Sequence, residues 1–577
     1  MAMQPSSFNF YDHETTGLSS HHDQVIQVSS IRTDADLNFI KGAELNLLVK
    51  LRPDVVPGPK AFAVHGISID DLNKNGVSEF EAASHLKNWF LDKRNSMMGG
   101  YNTIPFDDEF TRNLMYRGLQ DPYEHEWKNQ NSRTDIMRLV MMVFALRPNL
   151  MNFHLTDKGK YSLKLGDVCS ANGIILDNAH DARSDVVATI DVARMIKNAS
   201  PQMWQYFLNL SDKKFTKPMV DKMEPLVLVD RYLARDKGML TMALPVIYDA
   251  KIGTKMLSVD LRDDPTELLS LSVEELKYRI FTPSGEQKES EPIKSIRDIT
   301  LNKLPLITEP SIFRGRDDVV DRAGLDIDAC MRHAEMIKSD KGFRERLQKT
   351  YLVEHEPCDD VYKGIYSTGF ISDDEAKLRV KARALEAKVE GQAQLPALVN
   401  LDVLEFSSKL PDPLRMHELG LRAKWGNFGD DVLNLDTFSA AEITQWVEHL
   451  KRTWNDPVSG KMQINLEGYK ASLADVRAST ALTDRQEKAL LELEVHVAGT
   501  LKKIDELSVI AVMKKEAELA AQAVVDAAVA TPASDPDDRL DTLPGDTIEL
   551  AGAVDPDSVA PSVKAQRVAE AETDMSL

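Results

Sequence analysis

The first 200 residues alternate two hydrophobic periods. Short apolar runs at Phe8-Asn9-Phe10-Tyr11-Asp12, at Val25-Ile26-Gln27-Val28 and over residues 45–51 predict strands. Residues 79–91 place Phe80, Ala83, Leu86, Phe90 and Leu91 at helical spacing and predict an amphipathic helix. Residues 136–146 are apolar almost throughout and predict a buried helix. Residues 185–196 repeat Val186, Ile190 and Ala193 on one helical face. Alternating strand and helix signals predict an α/β domain with a mixed sheet. Beyond Pro201 the pattern changes to short β-rich stretches, such as Leu226-Val227-Leu228-Val229 and Ala243-Leu244-Pro245-Val246-Ile247-Tyr248, punctuated by Pro and Gly. A small barrel or sandwich is expected there. Residues 359–508 read as mostly helical. No aromatic residue follows Tyr469, and the stretch from Thr531 to Asp538 can bury little surface.

Composition refines this layout. A chain of 577 residues should hold about three to five domains. Four segments are expected: an α/β domain over 1–200, a β-rich domain over 201–350, a helical domain over 355–515 and a disordered acidic tail over 520–577. No run approaches the roughly 18 apolar residues of a membrane span. The start is polar up to Phe8 and lacks a basic-then-apolar leader, which reads against secretion. Cys169, Cys330 and Cys358 form no CxxC pair. They read as free thiols in a reducing cytoplasm, with no support for a zinc site.

The candidate chemistry lies in the first domain. A strand points residues two apart to one face, so Asp12 and Glu14 present both carboxylates together at the end of an apolar strand. Hard cations such as magnesium take oxygen ligands and keep positions open for water and phosphate. Two such ions, about 4 Å apart, stabilise both the attacking and the leaving oxygen of an in-line displacement. Asp107 and Asp185, each near the start of an expected helix, are the natural further ligands. His180, five positions before Asp185, can take a proton from a bound water because histidine titrates near neutral pH. Taken singly, each residue also has an ordinary reading: Asp107 as a helix cap, His180 as a surface loop histidine, Asp12 as a solvated strand end. Asp108, Asp135, Asp181 and the pair His21-His22 read as supporting or incidental.

The net charge of −21 runs against a nucleic-acid substrate, but residues 516–577 alone carry 14 acidic and 3 basic residues, a net of −11. Bound metals offset the acidic site locally. The tail reads either as a solubilising segment or as a polyanion competing with substrate.

Longer motifs surround the candidate residues. Asp-x-Glu-Thr at 12–15, Asn-x-x-x-Phe-Asp at 102–107 and His-x-x-x-x-Asp at 180–185 resemble the three motifs of the DEDDh exonucleases. The wider wording, including Ala145-Leu146-Arg147-Pro148 and Ala171-Asn172-Gly173-Ile174, is similar to the bacterial exodeoxyribonuclease I family. The match is strong over residues 7–200. It is traceable to about residue 510, including Leu421-Arg422-Ala423-Lys424 to Asn427-Phe428, and it does not cover the tail. The resemblance implies a ribonuclease-H-like exonuclease domain, an SH3-like domain and a helical domain closing around single-stranded DNA. It also implies processive 3′-to-5′ release of 5′ mononucleotides with Mg2+, Mn2+ being able to substitute.

By motif, Asp12, Glu14, Asp107 and Asp185 would hold the metals and His180 would be the base, with Thr15 and His65 near the terminal nucleotide. Arg147, Tyr206 and Arg314 match a site for the acidic C-terminal peptide of single-stranded-DNA-binding protein, while Glu224 stands where the family can have a basic residue. His13 and Thr16 replace residues that are usually aromatic, which puts packing beside the terminal base in question. The expected protein is a cytoplasmic monomer without membrane contact, bacterial and nucleoid-associated or virus-encoded, acting in DNA repair or recombination. A 3′-to-5′ exoribonuclease, or a non-catalytic DNA-binding or interaction protein on a nuclease fold, are the alternatives. The 2′-OH would separate the first of these.

Overall fold

The computed structural model describes residues 4–176, 181–282, 295–352, 364–366, 370–377, 379–380, 383, 439–458, 464–479 and 481–530. His180, Cys358, the 421–428 motif and residues 531–577 lie outside the described residues. The chain divides into two compact units, residues 1–517 and 518–577.

The first sheet has the order β3-β2-β1-β4-β5. Its strands are β1 (Ser7–Thr15), β2 (Val25–Asp34), β3 (Phe39–Leu48), β4 (Ser96–Gly99) and β5 (Ser132–Arg133). β1 pairs antiparallel with β2 and parallel with β4, so the sheet is mixed as the pattern predicts. β1 is central because it is apolar on both faces. Phe8 and Phe10 face a core shared with helices α6 (Ile136–Leu146) and α8 (Ala182–Ala199). Tyr11 faces the opposite core, shared with α3 (Glu79–Leu91) and α4 (Asp107–Arg117). The remaining helices of this region are α1 (Pro59–His65), α2 (Ile69–Asn75), α5 (Glu124–Trp127) and α7 (Leu165–Ala171).

Two expectations shift in detail. β3 begins at Phe39 and ends at Leu48, earlier than residues 45–51. Phe39 and Ile40 lie exposed on this edge strand, so period-2 burial does not mark its start. α8 begins at Ala182 because the Asp181 carboxylate caps it, accepting from the Ser184 N–H at 3.1 Å.

Helices α9 (Pro201–Asn209) and α10 (Lys213–Asp221) lead to an antiparallel sheet of order β10-β6-β7-β8-β9. Its strands are β6 (Leu226–Val229), β7 (Leu240–Tyr248), β8 (Lys255–Asp260), β9 (Ile296–Thr300) and β10 (Ile307–Thr308). Helices α11 (Thr266–Ser270), α12 (Val273–Phe281), α13 (Asp317–Ala323), α14 (Ile327–Ser339) and α15 (Phe343–Tyr351) accompany it. Cys169 and Cys330 are free and buried.

The described part of the helical region is α16 (Ala440–Asn455), α17 (Leu466–Ser479) and α18 (Asp484–Ala530). It shares a core with the β3–α3 connection. Phe62, Ile67, Ile69 and Leu72 pack with Trp446, Leu450, Trp454 and Leu490, and Trp454 donates its indole N–H to the Pro53 carbonyl at 2.8 Å. Beside this core, buried Arg52 bridges Asp54 and Glu79, each at 2.9 Å, and Arg117 joins Glu79 at 2.8 Å. Paired and hydrogen-bonded, these charges tolerate burial and fix the connection against α3 and α4.

Helix α18 reaches Ala530, so residues 520–530, read from the sequence as the start of the tail, are helical and, through residue 527, exposed. The run Ala520-Ala521-Gln522-Ala523 has high helix propensity and outlasts its apolar partners, and Pro532 follows closely. Among the described residues, no helix is long and apolar enough to cross a membrane.

Candidate active site

β1 delivers the first two carboxylates. Its burial alternates near the end: Asp12 and Glu14 are half-buried while Tyr11, His13 and Thr15 are buried. Asp12 and Glu14 therefore share the face that carries Phe8 and Phe10, toward α8. Asp185 lies in the first turn of α8. Asp107 is the first residue of α4, and its Oδ1 accepts the His13 backbone N–H at 3.0 Å. It is not the helix cap: Phe106 holds that position without a side-chain bond.

The loop that delivers Asp107 depends on two details. A Cβ on Gly100 would lie 2.2 Å from the Tyr11 carbonyl oxygen, so only glycine lets the loop lie on β1 here. Asp135 caps α6 through the Met137 N–H at 3.0 Å and also accepts from the N–H groups of Asn102 at 2.9 Å and Ile104 at 3.3 Å. This carboxylate, read from the sequence as structural, pins the Asn102 loop in place. Asp108 points away from the site. It accepts from the Tyr11 hydroxyl and pairs with Arg133 at 2.6 Å. Burial opposes its ionisation, but Arg133 and Arg112 outweigh that and hold its carboxyl below the usual range.

The site carboxylates behave in the opposite way. Burial, then Asp185 and Asp181, raise the Asp12 carboxyl well above its usual range. Burial, then Asp12, Asp185 and Asp181, push Glu14 up to about 9, opposed by Arg485. Burial and Asp12 raise Asp107, opposed by the His13 N–H. These groups are thus electrostatic neighbours, brought together from β1, α4 and α8. Asp12, Glu14 and Asp107 form no salt bridge among the described residues. The donor set is all oxygen, partly buried and self-repelling, which suits hard divalent cations. Among the described residues no three acidic, His or Cys side chains converge closely enough to chelate one ion unaided. The donor chemistry fits the metals, while a closed coordination shell is absent from this arrangement of side chains.

Other expected residues divide. Thr15 is buried and donates its hydroxyl to the Gly17 carbonyl at 2.7 Å. His65 is buried at the end of α1, where its Nδ1 accepts the Ile67 N–H at 3.0 Å. His13 belongs to the opposite core, with Nε2 2.8 Å from the Thr111 hydroxyl, and burial lowers its pKa to about 4. Thr16 is buried and bonds Asp23 at 3.0 Å. The replacement at 13 is therefore a packing change behind the sheet. Arg485, at the start of α18, was not singled out from the sequence. It is far from the motifs along the chain and only the shared core brings it near Glu14.

At the matched peptide site, Arg147 and Arg316 both donate to the Leu146 carbonyl at 2.9 Å. Burial, then Arg316, lower the Arg147 pKa. Tyr206 donates its hydroxyl to the Ile307 carbonyl at 2.9 Å. Arg314 is exposed after a short 3-10 turn, Pro310–Phe313. Arg316 is thus the cation that shares a carbonyl with Arg147. Glu224 is neutralised by Lys338 at 2.6 Å.

The sequence model described as "Exonuclease" matches residues 10–193, and that described as "Exonuclease I SH3-like domain" matches residues 211–352. An exodeoxyribonuclease I of Haemophilus influenzae is 34% identical over 390 residues, covering 66% of this chain and 81% of the relative. A crystal structure of Escherichia coli exonuclease I in complex with a dA16 oligonucleotide is 25% identical, with a TM-score of 0.73, covering 86% of this chain and 100% of that one. A structure of SSB and exonuclease I in complex with the inhibitor CFAM, also 25% identical, has a TM-score of 0.70 and covers 87% of this chain and 100% of that one. With two matching domains in the same order and a relative covered over most of its length, the chain belongs to the exodeoxyribonuclease I family of hydrolases.

Proposed function

We propose that this protein degrades single-stranded DNA from its 3′ end and releases 5′ mononucleotides, using divalent metals, with Mg2+ as the working ion and Mn2+ as a substitute. The observation that carries the reading is the self-repelling set of Asp12, Glu14 and Asp107 with Asp185, which is incomplete without cations. When bound, two divalent ions stabilise the attacking and leaving oxygens of the phosphodiester displacement. The chain's own residues do the rest. β1 holds Asp12 and Glu14 in register as ligands. The His13 N–H orients Asp107. The first turn of α8 presents Asp185. His180 accepts the proton of the attacking water and passes it to solvent. Thr15 and His65 border the terminal nucleotide.

Digestion of a 5′-labelled oligonucleotide tests this directly. Shortening of single-stranded DNA from the 3′ end with Mg2+, and none with EDTA, is expected. Preferential cleavage of RNA would transfer the reading to an exoribonuclease. No cleavage of either would leave a binding protein.

The same reading includes a protein partner, the acidic C-terminal peptide of single-stranded-DNA-binding protein. The guanidinium groups of Arg147 and Arg314, with Arg316 beside Arg147, suit a terminal carboxylate, and the half-buried Tyr206 offers an apolar surface. Arg147→Ala is expected to weaken binding of a fluorescent peptide by about 10-fold or more, as loss of a charged hydrogen bond does. Equal affinities in an anisotropy titration would remove Arg147 from this role.

A further inference from the structure

The helical region does more than cover the nuclease domain. Helix α1 is tied at its start to the end of β1, where the Gly58 N–H donates to the Thr16 carbonyl at 2.7 Å. At its other end Gly66 takes a left-handed conformation, with φ of +63°. The Arg485 side chain from the first turn of α18 lies across that turn. Its Nε donates to the Gly66 carbonyl at 3.1 Å, and its Cγ and Nε would stand 3.3 Å from a Cβ on Gly66. The shared core of α1, α2 and α16–α18 fixes this crossing.

Three observations distinguish Arg485 from an ordinary surface arginine. It is exposed, and it makes no salt bridge among the described residues. One nitrogen is anchored on a carbonyl while the Nη1–Nη2 edge has no protein acceptor among them. It also sits in the first turn of its helix, where the macrodipole disfavours a cation, so helix stability does not explain it. The turn it crosses directly follows His65, which is buried at the end of α1. A planar fork held open at this turn matches the non-bridging oxygens of a phosphate.

We propose that Arg485 is a substrate-binding residue of the nuclease, its open Nη edge binding a backbone phosphate of the DNA at the His65–Gly66 turn. The inference rests on the proposed nuclease reading. In that role the helical region supplies a piece of the substrate site, and the α1 turn at Gly66 sets its aim.

The full-length chain is compared with Arg485→Gln and Arg485→Lys. Glutamine still reaches the Gly66 carbonyl with a donor, so thermal stability should hold. Binding of a labelled single-stranded oligonucleotide is followed in EDTA over a range of salt. Arg485→Gln is expected to flatten the slope of log affinity against log salt by about 0.7, the value of one single-strand phosphate contact. Arg485→Lys should keep the slope. In steady-state cleavage with Mg2+, KM for Arg485→Gln should rise by about 10–100-fold, more than kcat falls. An active wild type whose Arg485→Gln variant matches it in KM and slope would overturn the proposal. So would equal losses in both variants together with a lower melting temperature, which would make the residue structural. Failure of the nuclease reading is separate and visible: the wild type itself would show no metal-dependent cleavage.

Discussion

Asp12→Asn is expected to abolish cleavage while leaving the metal-free protein at least as stable as the wild type. The loss should exceed about 10³-fold, beyond the roughly 10–100-fold that removing an outer partner of a metal site costs. The stability result follows from the electrostatics. Burial and then Asp185 and Asp181 raise the Asp12 carboxyl, and Glu14 is pushed to about 9. A carboxyl raised in the folded state contributes stability below its unfolded value near 4. That contribution is lost as pH rises through the folded value. For Glu14 the window therefore runs from about pH 4 to about pH 9. Asparagine carries no charge to repel its neighbours, so the melting temperature of the metal-free variant should gain on the wild type as pH rises across that window. Added Mg2+ should raise the wild type more than the variant, because only the wild type keeps the full ligand set. Near-normal cleavage by Asp12→Asn would sink the ligand assignment. A melting temperature that falls at every pH would refute the repulsion.

His180→Ala should slow hydrolysis by roughly 10²–10⁴-fold, the range for a positioned base. Affinity for single-stranded DNA should be kept, since no phosphate contact is assigned to this side chain. The residual rate should climb with pH, because hydroxide replaces the missing base. Single-turnover rates between pH 6 and 9 check both statements. A variant with the wild-type rate at neutral pH would return His180 to the status of a loop residue.

Peptide binding by Arg147 and phosphate binding by Arg485 act on different surfaces, so their variants should be independent. Arg147→Ala should leave cleavage of naked DNA unchanged, and Arg485→Gln should leave peptide affinity unchanged.

Local sequence determined the parts of this protein that depend on short-range periodicity. The alternation at residues 8–14 set both the apolar faces of β1 and the shared direction of Asp12 and Glu14, because a strand repeats every two residues. Helices α3 and α6 have the bounds their apolar spacing indicates, and β6 coincides with its run of four apolar residues. The supporting role of Asp181 was legible for a similar reason, since it caps its own helix through the Ser184 N–H, whereas the Tyr11 and Asn102 partners of Asp108 and Asp135 lie on distant segments. What remained hidden depends on contacts between distant segments. Nothing along residues 49–76 signals that Phe62 and Leu72 pack with Trp446 and Leu490 rather than with their own sheet. An apolar residue records that it is buried, not against what. Arg485 likewise reads as one more helix-surface arginine, and only the packing of α18 on α1 places it across the Gly66 turn. That Arg316 shares the Leu146 carbonyl with Arg147 also follows from tertiary packing, not from spacing. The sequence alone determined which carboxylates face one another across a strand and a helix start. The tertiary structure decided which cation from another region reaches the turn at the end of α1, since that requires a core built from residues hundreds of positions apart.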